Sequence, residues 1–181
     1  MIRLRPLERE DLRQLRDWRN DPEIFSRVRE YRYLNMENQE AWFNSLRDDR
    51  KTIMFGVEDR TPTEYGGENR ILIGVCGLTY IDWIAQKAEI SLYIGDKDYR
   101  GMGIGLKMLN LLAKYAFEEC NLIRLWGEIY DSEPIIQLFK RAGYIKEGEL
   151  RQHAYKNGKY VNSHFYGLLR EEWRKKNARV V

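Results

Sequence analysis

The clearest pattern in the chain is a strict alternation of apolar and other residues over positions 88–95. The four apolar residues, Ala88 to Ile94, would lie on one face of a strand, and Glu89, Ser91 and Tyr93 on the other. A glycine-rich turn follows at residues 100–105, and apolar residues then recur at helical spacing as far as Phe117. The centre of the chain therefore predicts a strand, a glycine turn and an amphipathic helix.

The residues before this centre predict three strands and two helices. We expect a short strand at 2–7 and a helix at 11–18, which ends before Asn20-Asp21-Pro22 because proline disfavours helix in the residue before it. Asn35 is expected to cap a second helix that runs to about residue 47. Strands at 53–57 and 71–80 would be joined by a long hairpin loop over 59–69, which contains proline, Gly66-Gly67 and polar residues.

The residues after the centre continue the mixture of strands and helices. A strand is predicted at 123–130, followed by a short helix with Asp131 or Ser132 as its cap, Pro134 in its first turn and Gly143 at its end. Two final strands are expected near 144–150 and 161–169. The whole pattern predicts one α/β domain with a mixed central sheet of about seven strands, flanked by helices on both faces.

Composition and charge narrow the class of protein. The length of 181 residues suits one domain, and 43% hydrophobic with 33% charged residues is typical of a soluble globular protein. Residues 1–32 hold nine arginines but also seven acids, which indicates a mixed-charge surface and no nucleic-acid partner. No apolar run approaches the roughly 20 residues of a membrane span, and the N-terminus lacks a secretory signal. We therefore expect a cytoplasmic protein with no membrane partner.

The cysteines and histidines do not predict a reactive or metal site. Cys76 lies in an apolar run and Cys120 ends an amphipathic one, so we expect both to pack as small hydrophobic residues. His153 and His164 have no cysteine or acid at ligand spacing, so we predict no metal site.

The glycine turn is the strongest chemical signal. A strand that ends in a glycine-rich turn and opens a helix presents free backbone N–H groups and the positive end of the helix dipole to an anion. A nucleotide-binding Walker loop does not fit, because Leu106 stands where glycine should precede the lysine. A dinucleotide fingerprint does not fit either, because its third glycine would fall on Leu106 or Met108.

The remaining pattern is R-x-x-G-x-G, formed by Arg100, Gly103 and Gly105. In its context of strand, long helix, strand and short helix, it resembles the signature of the GNAT acetyltransferase superfamily. The resemblance covers nearly the whole chain. The segments Trp18-Arg19-Asn20-Asp21-Pro22 and Asn157-Gly158-Lys159, with 167–173 (GLLREEW), look like the RimJ/RimL-like branch of that superfamily.

The resemblance implies an acetyl-CoA-dependent N-acetyltransferase. In proteins of this family, such a chain would have an acceptor-side half at about 1–85 and an acetyl-CoA-binding half at about 86–173. A short basic tail would follow at 174–181. The loop amides would hold the pyrophosphate of coenzyme A, and backbone N–H groups near Tyr93 and Ile94 would stabilise the oxyanion. The positions implied for the cofactor are Tyr93, Ile94, Arg100, Gly101, Met102, Gly103, Ile104, Gly105, Asp131 and Phe139.

Glu89 is the candidate catalytic base. An alkyl amine has a pKa of about 10 and must lose a proton before it attacks a thioester, and a nearby carboxylate can accept that proton directly or through water. Glu89 lies opposite the apolar face of its strand and at the position where several GNAT families carry a base glutamate. A surface or salt-bridged glutamate is the alternative interpretation.

Two positions depart from the family pattern. Phe139 stands where the family often has a tyrosine that protonates the leaving thiolate, and phenylalanine cannot donate a proton. Asp131 stands where the family usually has an asparagine that contacts the pantetheine arm, and a carboxylate can only accept hydrogen bonds. Water could instead protonate the thiolate, because a thiol pKa of about 8.5 makes it a tolerable leaving group.

The acceptor cleft is expected beside Trp18-Arg19-Asn20, with Tyr31 and Tyr33 either lining it or serving only in packing. Trp42 and Phe43 are interpreted as helix-packing residues. The acceptor is expected to be a small-molecule or peptide amine: an amino sugar, a polyamine, an aminoglycoside or a protein N-terminus. A non-catalytic acyl-CoA-binding regulatory module is the alternative function, and two copies could pair as a homodimer through the terminal strands.

Overall fold

A seven-stranded sheet forms the centre of the computed structural model, which describes residues 1–62 and 66–178. The strand order is β1-β2-β3-β4-β5-β7-β6, and every neighbouring pair is antiparallel except β4–β5. The strands are β1 (Ile2–Pro6), β2 (Ile53–Pro62), β3 (Glu68–Asp82), β4 (Lys87–Ile94), β5 (Arg124–Tyr130), β6 (Ile145–Lys156) and β7 (Lys159–Leu169). The predicted mixed α/β sheet of about seven strands is confirmed.

Six α-helices accompany the sheet in the described residues, and local signals in the sequence set several of their ends. The helices are α1 (Leu12–Asn20), α2 (Pro22–Phe25), α3 (Met36–Ser45), α4 (Ile104–Lys114), α5 (Glu133–Ala142) and α6 (Arg170–Ala178). The Asn35 side chain caps α3 as predicted, by accepting a hydrogen bond from the Asn38 N–H at 2.9 Å. Gly143 ends α5 with a φ of 97°, in the left-handed region that favours glycine.

The two faces of the sheet are covered differently. On one face, α4 and α5 pack into the larger core, which includes Ala88 and Ile90 of β4. On the other face, α1 and α3 form a smaller cluster that includes Trp42, Phe43 and Tyr93. The alternation predicted for β4 is therefore confirmed, and Trp42 and Phe43 pack as expected. Beyond α1 and α3, the second face remains open over β5 and β7, where Trp126 and Phe165 are only half-buried.

The predicted hairpin loop at 59–69 is wrong over most of its length. Asp59 to Pro62 belong to β2 and pair with Ile71 to Glu68 of β3. Backbone pairing at the end of a hairpin does not require apolar side chains, so the polar composition of this segment concealed its strands. Residues 63–65 lie outside the described residues.

The C-terminal part is also more regular than predicted. β6 and β7 are longer than expected and meet at a tight turn, where Asn157 and Gly158 have φ values of 51° and 78°. The predicted basic tail begins inside α6. None of the described residues of this helix is buried, so the sequence has no apolar face from which the helix could be predicted. Residues 179–181 lie outside the described residues.

Candidate active site

A fork between β4 and β5 lies at the centre of the sheet. The two strands pair only from Lys87 to Glu89 with Arg124 to Trp126. No further β4–β5 pair forms among the described residues, although β4 continues to Ile94 and β5 to Tyr130. The backbone polar groups that face this gap are therefore available to a ligand that extends the sheet. Glu89 lies at the closed end of the fork.

The glycine loop lies at the open end of β4, immediately before α4. Gly101 and Gly103 have φ values of 78° and 76°, which residues with a Cβ rarely adopt. A Cβ added at either position would meet no atom within 4 Å, so both residues border open space. The exposed Met102 lies between them, and within the described chain the N–H groups of residues 101–103 reach no backbone carbonyl. Together with the unpaired amides of the first turn of α4, this geometry fits a diphosphate.

The last two residues of the motif have a different role, because they join the loop to the core. Ile104 is buried in the main cluster. A Cβ on Gly105 would come within 3.0 Å of the Leu138 side chain on α5, so glycine here allows α4 and α5 to approach each other.

Arg100 supports the end of β4. Its Nε and Nη2 donate to the carbonyls of Ile94 and Gly95, both at 3.1 Å, and its Nη1 pairs with Glu23 of α2. The arginine of the motif thus fixes the shape of the loop and joins it to α2. Its hydrogen-bond donors are directed at protein oxygens in this structure.

Tyr93 and Gly95 are held in place by Trp18 of α1. The Trp18 ring lies edge-on to Tyr93, with ring centroids 6.4 Å apart, and a Cβ on Gly95 would overlap that indole ring. Burial raises the pKa of the Tyr93 phenol above its usual range, and the nearby charge of Arg19 opposes this increase. Trp18 therefore positions the C-terminal end of β4 by packing against it.

Glu89 lies in a cluster of charged residues on the open face of the sheet. The Arg29 guanidinium donates to both oxygens of Glu89, at 2.8 and 2.5 Å, and to Glu128 Oε2 on β5, at 2.9 and 2.6 Å. Both carboxylates are 6% exposed, whereas Arg29 is 44% exposed. His153 Nδ1 lies 3.1 Å from the other oxygen of Glu128 and 3.0 Å from the Ser163 hydroxyl.

The charges of this cluster stabilise one another. Burial raises the pKa of Glu128, but hydrogen bonds from Ser163 and Arg29 outweigh it and hold the pKa below the usual range. Burial lowers the pKa of Arg29, and its bonds to Glu89 and Glu128 more than offset this and raise it. The cluster therefore favours the ionised form of Glu128 beside the fork.

Asp131 and Phe139 lie near the fork with partners inside the protein. Asp131 accepts from the Asn162 N–H at 2.9 Å and lies 2.8 Å from His164 Nε2, so it links β5 to β7, and Ser132 is the N-cap residue of α5. Phe139 is buried against β5, where a Cβ on Gly127 would come within 2.7 Å of its ring. The Tyr144 ring packs on Phe139, and its buried hydroxyl has no hydrogen-bond partner among the described residues.

Several of the residues predicted to border the acceptor cleft have partners within the protein. Asn20 donates to the Leu34 carbonyl and accepts from the Leu34 N–H, both at 2.8 Å, and so fastens the segment before α3. Arg19 has a buried Nε without a described partner. Tyr31 and Tyr33 are exposed, and Tyr33 stacks on Phe25 at 5.0 Å.

Two residues of the charged cluster were not singled out in the sequence. Glu128 could have been found, because β5 alternates as β4 does and a parallel neighbour of β4 would place Glu128 near Glu89. Arg29 could not, because it is one of nine arginines in a mixed-charge segment. In the described residues, no group of three or more metal-binding side chains converges, and no helix has the length and apolar character to cross a membrane. Burial raises the pKa of the Cys76 thiol to about 12, and Cys120 is only half-buried.

Comparison with known proteins assigns the fork and loop to a family. The model of the acetyltransferase (GNAT) domain matches residues 2–144. The chain belongs to the GNAT acetyltransferase family. The glycine loop and the forked strands are consistent with this membership. The chain is an acetyl-CoA-dependent N-acetyltransferase.

Several relatives of this GNAT protein have names that state an acceptor. It is 31% identical to a spermidine N(1)-acetyltransferase of Escherichia coli over 165 residues, which cover 90% of this chain and 82% of the relative. It is 34% identical to a putative ribosomal N-acetyltransferase of Bacillus subtilis over 103 residues, 56% of each chain. The crystal structure of a Vibrio cholerae spermidine N-acetyltransferase with CoA and spermine superposes with a TM-score of 0.85 at 26% identity, covering 96% of this chain and 98% of the other.

Proposed function

We propose that this acetyltransferase acts on the primary amine of a small molecule, which approaches the fork from the face that carries Glu89 and Glu128. The observation that carries the proposal is the geometry of β4. The glycine loop follows its open end, and Glu89 marks the closed end of the fork. A thioester that extends from the loop along the fork would meet an amine near Tyr93, and water in the fork would connect that amine to Glu89.

The proposal gives the glycine loop the task of holding acetyl-CoA. N–H groups at residues 101–105 would bind the diphosphate, and the unpaired edge of β4 would bind the amides of the pantetheine arm. The backbone N–H groups at Tyr93 and Ile94 would stabilise the negative charge that develops on the thioester oxygen. Arg100 would contribute by keeping Ile94 and Gly95 in place, since its donors already bond their carbonyls.

Glu89 would serve as the base through water. Glu89 and Tyr93 are four residues apart on one strand, which is about 13 Å along its axis, so a glutamate side chain cannot span the distance to an amine at Tyr93. A carboxylate offers about four lone-pair positions, and Arg29 occupies only one on each oxygen of Glu89. The remaining positions can accept a proton relayed from the amine.

No side chain is given the role of acid. Phe139 has no proton to donate, and both oxygens of Asp131 already have partners in β7. A thiol pKa of about 8.5 allows the thiolate to leave and take a proton from water. Alignment of the two reactants would then supply most of the rate, an effect that can amount to roughly 7–11 kcal/mol.

The identity of the acceptor is the part of the proposal that most needs a test. The names of the relatives suggest a polyamine such as spermidine, while an amino sugar, an aminoglycoside and a protein N-terminus are the other predicted classes. A cytoplasmic location, the RimJ/RimL-like branch, the two half-domains and a homodimer stay predictions.

A thiol-release assay with acetyl-CoA tests the function. The acceptors are spermidine, glucosamine, an aminoglycoside and an N-terminal peptide, each paired with its N-acetylated form as a control. We expect release that depends on a free primary amine. Binding of acetyl-CoA without release for any amine would support the regulatory module instead.

A further inference from the structure

The acceptor amine must lose two protons during acetyl transfer, and Glu89 accounts for only one of them. An alkyl amine has a pKa of about 10, so it arrives at neutral pH as an ammonium ion. It loses one proton before it attacks the thioester and a second after the new C–N bond has formed. One of these protons ends on the thiol of CoA, and the other must reach the solvent. The carboxylate of Glu89 is 6% exposed and bonded on both oxygens by Arg29, which makes it a poor exit to solvent.

A bulge in β6 turns His153 toward the centre of the sheet. The pairing of β6 with β7 is interrupted between Leu150 and Ala154, where four steps along β6 lie opposite two steps along β7. Within the bulge, Gln152 has a φ of 52°, which is uncommon for a residue other than glycine, and its N–H donates to Asn162 Oδ1 at 2.9 Å. Bulges re-aim side chains and are frequent next to active sites.

The Nδ1 atom of His153 reaches two oxygens of the neighbouring strands. It lies 3.1 Å from Glu128 Oε1 and 3.0 Å from Ser163 Oγ. Burial raises the pKa of Glu128, but hydrogen bonds from Ser163 and Arg29 hold it below its usual range, so the carboxylate is ionised and only accepts. Nδ1 must therefore carry the hydrogen atom, and the neutral ring has its lone pair on Nε2. Because Nδ1–H has two acceptors, its orientation does not depend on Glu128 alone.

The arrangement leaves Nε2 of His153 unoccupied. A serine–histidine–acid triad uses both ring nitrogens, with the serine on one and the acid on the other. Here both oxygens lie at Nδ1, and Ser163 is fully buried, so the hydroxyl is not an activated nucleophile. Nε2 has no hydrogen-bond partner among the described residues, and the His153 side chain is 47% exposed. The ring therefore joins the charged cluster to the solvent.

The register of the strands places this ring near the reacting end of the fork. Counted from the pair of Glu89 with Trp126, Tyr130 of β5 is level with Tyr93 of β4. Ser163 of β7 pairs with Tyr130, so a ring in contact with Ser163 lies at the level proposed for the thioester. Glu89 lies about 13 Å farther back along its strand.

We propose that His153 takes the first proton from the acceptor ammonium ion and releases it to the solvent. This inference rests on the proposed function. An N–H bond of the ammonium breaks as Nε2 accepts the proton, directly or through one water molecule, and Glu128 stabilises the imidazolium that forms. The neutral amine then attacks the thioester carbon. The second proton moves through water to Glu89 and from there through water to the leaving thiolate. The imidazolium returns its proton to the solvent, so each turnover releases one proton.

The variant His153→Asn removes the proposed proton acceptor and keeps the anchor. The asparagine amide can still donate to Glu128 from near the position of Nδ1, but it has no equivalent of Nε2. We expect kcat with the best amine of the thiol-release assay to fall at least tenfold, and the affinity for acetyl-CoA, measured by calorimetry, to stay the same. An unchanged kcat would overturn the proposal.

Chemical rescue separates a proton acceptor from a residue that serves only in packing. In His153→Ala, added imidazole can occupy the space left by the ring, and we expect kcat to rise at least fivefold with its concentration. Pyrazole has the same shape but is a much weaker base, so it should not restore activity. A kcat that does not respond to imidazole, or responds equally to pyrazole, would overturn the proposal.

His164→Ala is the matched control, because it removes the other histidine of the chain. That ring is also bonded to a carboxylate, Asp131, but its side chain is only 11% exposed. We expect the activity that this variant retains to be independent of imidazole, and equal rescue of both variants would contradict the role of His153.

The outcomes also separate this role from the proposed function. Acetyl transfer by the wild-type protein, together with full kcat in both His153 variants, would refute the role of His153 and leave the proposed function standing. The absence of transfer by the wild-type protein to any amine would overturn both.

Discussion

At the scale of single residues, the arrangement of Arg29, Glu89 and Glu128 dominates the site. Two carboxylates that are 6% exposed lie close together, and one arginine bonds both. A buried carboxylate without a partner is costly, and the hydrogen bonds from Arg29 offset that cost for both residues. Glu89 can therefore be a base, a structural partner of Arg29, or both, and Glu128 provides the comparison that separates these roles.

We predict that Glu89→Gln lowers kcat by roughly 10²-fold without weakening acetyl-CoA binding, because it removes the proton acceptor but not the glycine loop. Glu128→Gln is the control, since it removes the other carboxylate partner of Arg29. Steady-state kinetics with the best amine would measure both. An equal decrease in kcat for the two variants would show that Glu89 acts only by holding Arg29.

Glu128 also predicts a pH dependence of stability. Its pKa in the folded protein lies below the ordinary value of 4.5, so the unfolded chain binds this proton more readily. The stability that Glu128 contributes is complete above about pH 4.5 and is lost as the pH falls through the folded pKa. We expect the difference in free energy of unfolding between wild type and Glu128→Gln to narrow from pH 6 to pH 3 in urea titrations. A difference independent of pH would contradict this account.

Tyr144 offers a test of the packing around Phe139. Its hydroxyl is buried without a described partner, and an unsatisfied buried polar group costs about 1–3 kcal/mol. We predict that Tyr144→Phe raises the free energy of unfolding by up to about 1 kcal/mol. A clear loss of stability would show that the hydroxyl has a partner, such as an internal water molecule.

At the scale of elements, the helices and strands that depend on local signals were predicted well. The strand ends that depend on pairing with distant segments were predicted poorly. The alternation of β4, the cap at Asn35 and the stop at Gly143 are short-range patterns, and each is found where the sequence placed it. The ends of β2 and β3 and most of β6 are polar segments whose strand structure depends on their neighbours. The glycine loop was predictable for the same local reason, whereas the ion pairs of Arg29 join residues 60 and 99 positions apart.

The conformation of the connection between α1 and α3 should depend on the side chain of Asn20. Asn20 bonds both the N–H and the carbonyl of Leu34, and the segment between them carries Arg29. We predict that Asn20→Ala costs about 1–2 kcal/mol and speeds amide hydrogen exchange in residues 26–35 more than in β4. Equally faster exchange throughout the chain would show that this connection unfolds only with the whole protein, and would contradict the prediction.

At the scale of the whole molecule, the proposed reaction depends on one spatial relationship. The glycine loop is expected to fix the position of acetyl-CoA, the fork directs the thioester along β4, and the open face over β5 and β7 receives the amine. Every proposal about the acceptor assumes that the cofactor is held at residues 101–105. The most direct test is therefore a measurement of binding at that loop.

That measurement is calorimetric titration of acetyl-CoA into Gly103→Val and Gly158→Val. The two glycines have nearly equal φ values, 76° and 78°, and open space around them, so valine should strain the backbone similarly at both. Gly103 is in the loop, and Gly158 is in the distant turn between β6 and β7. The account predicts at least tenfold weaker binding for Gly103→Val and unchanged binding for Gly158→Val. Full affinity in Gly103→Val, or an equal loss in both variants, would contradict it.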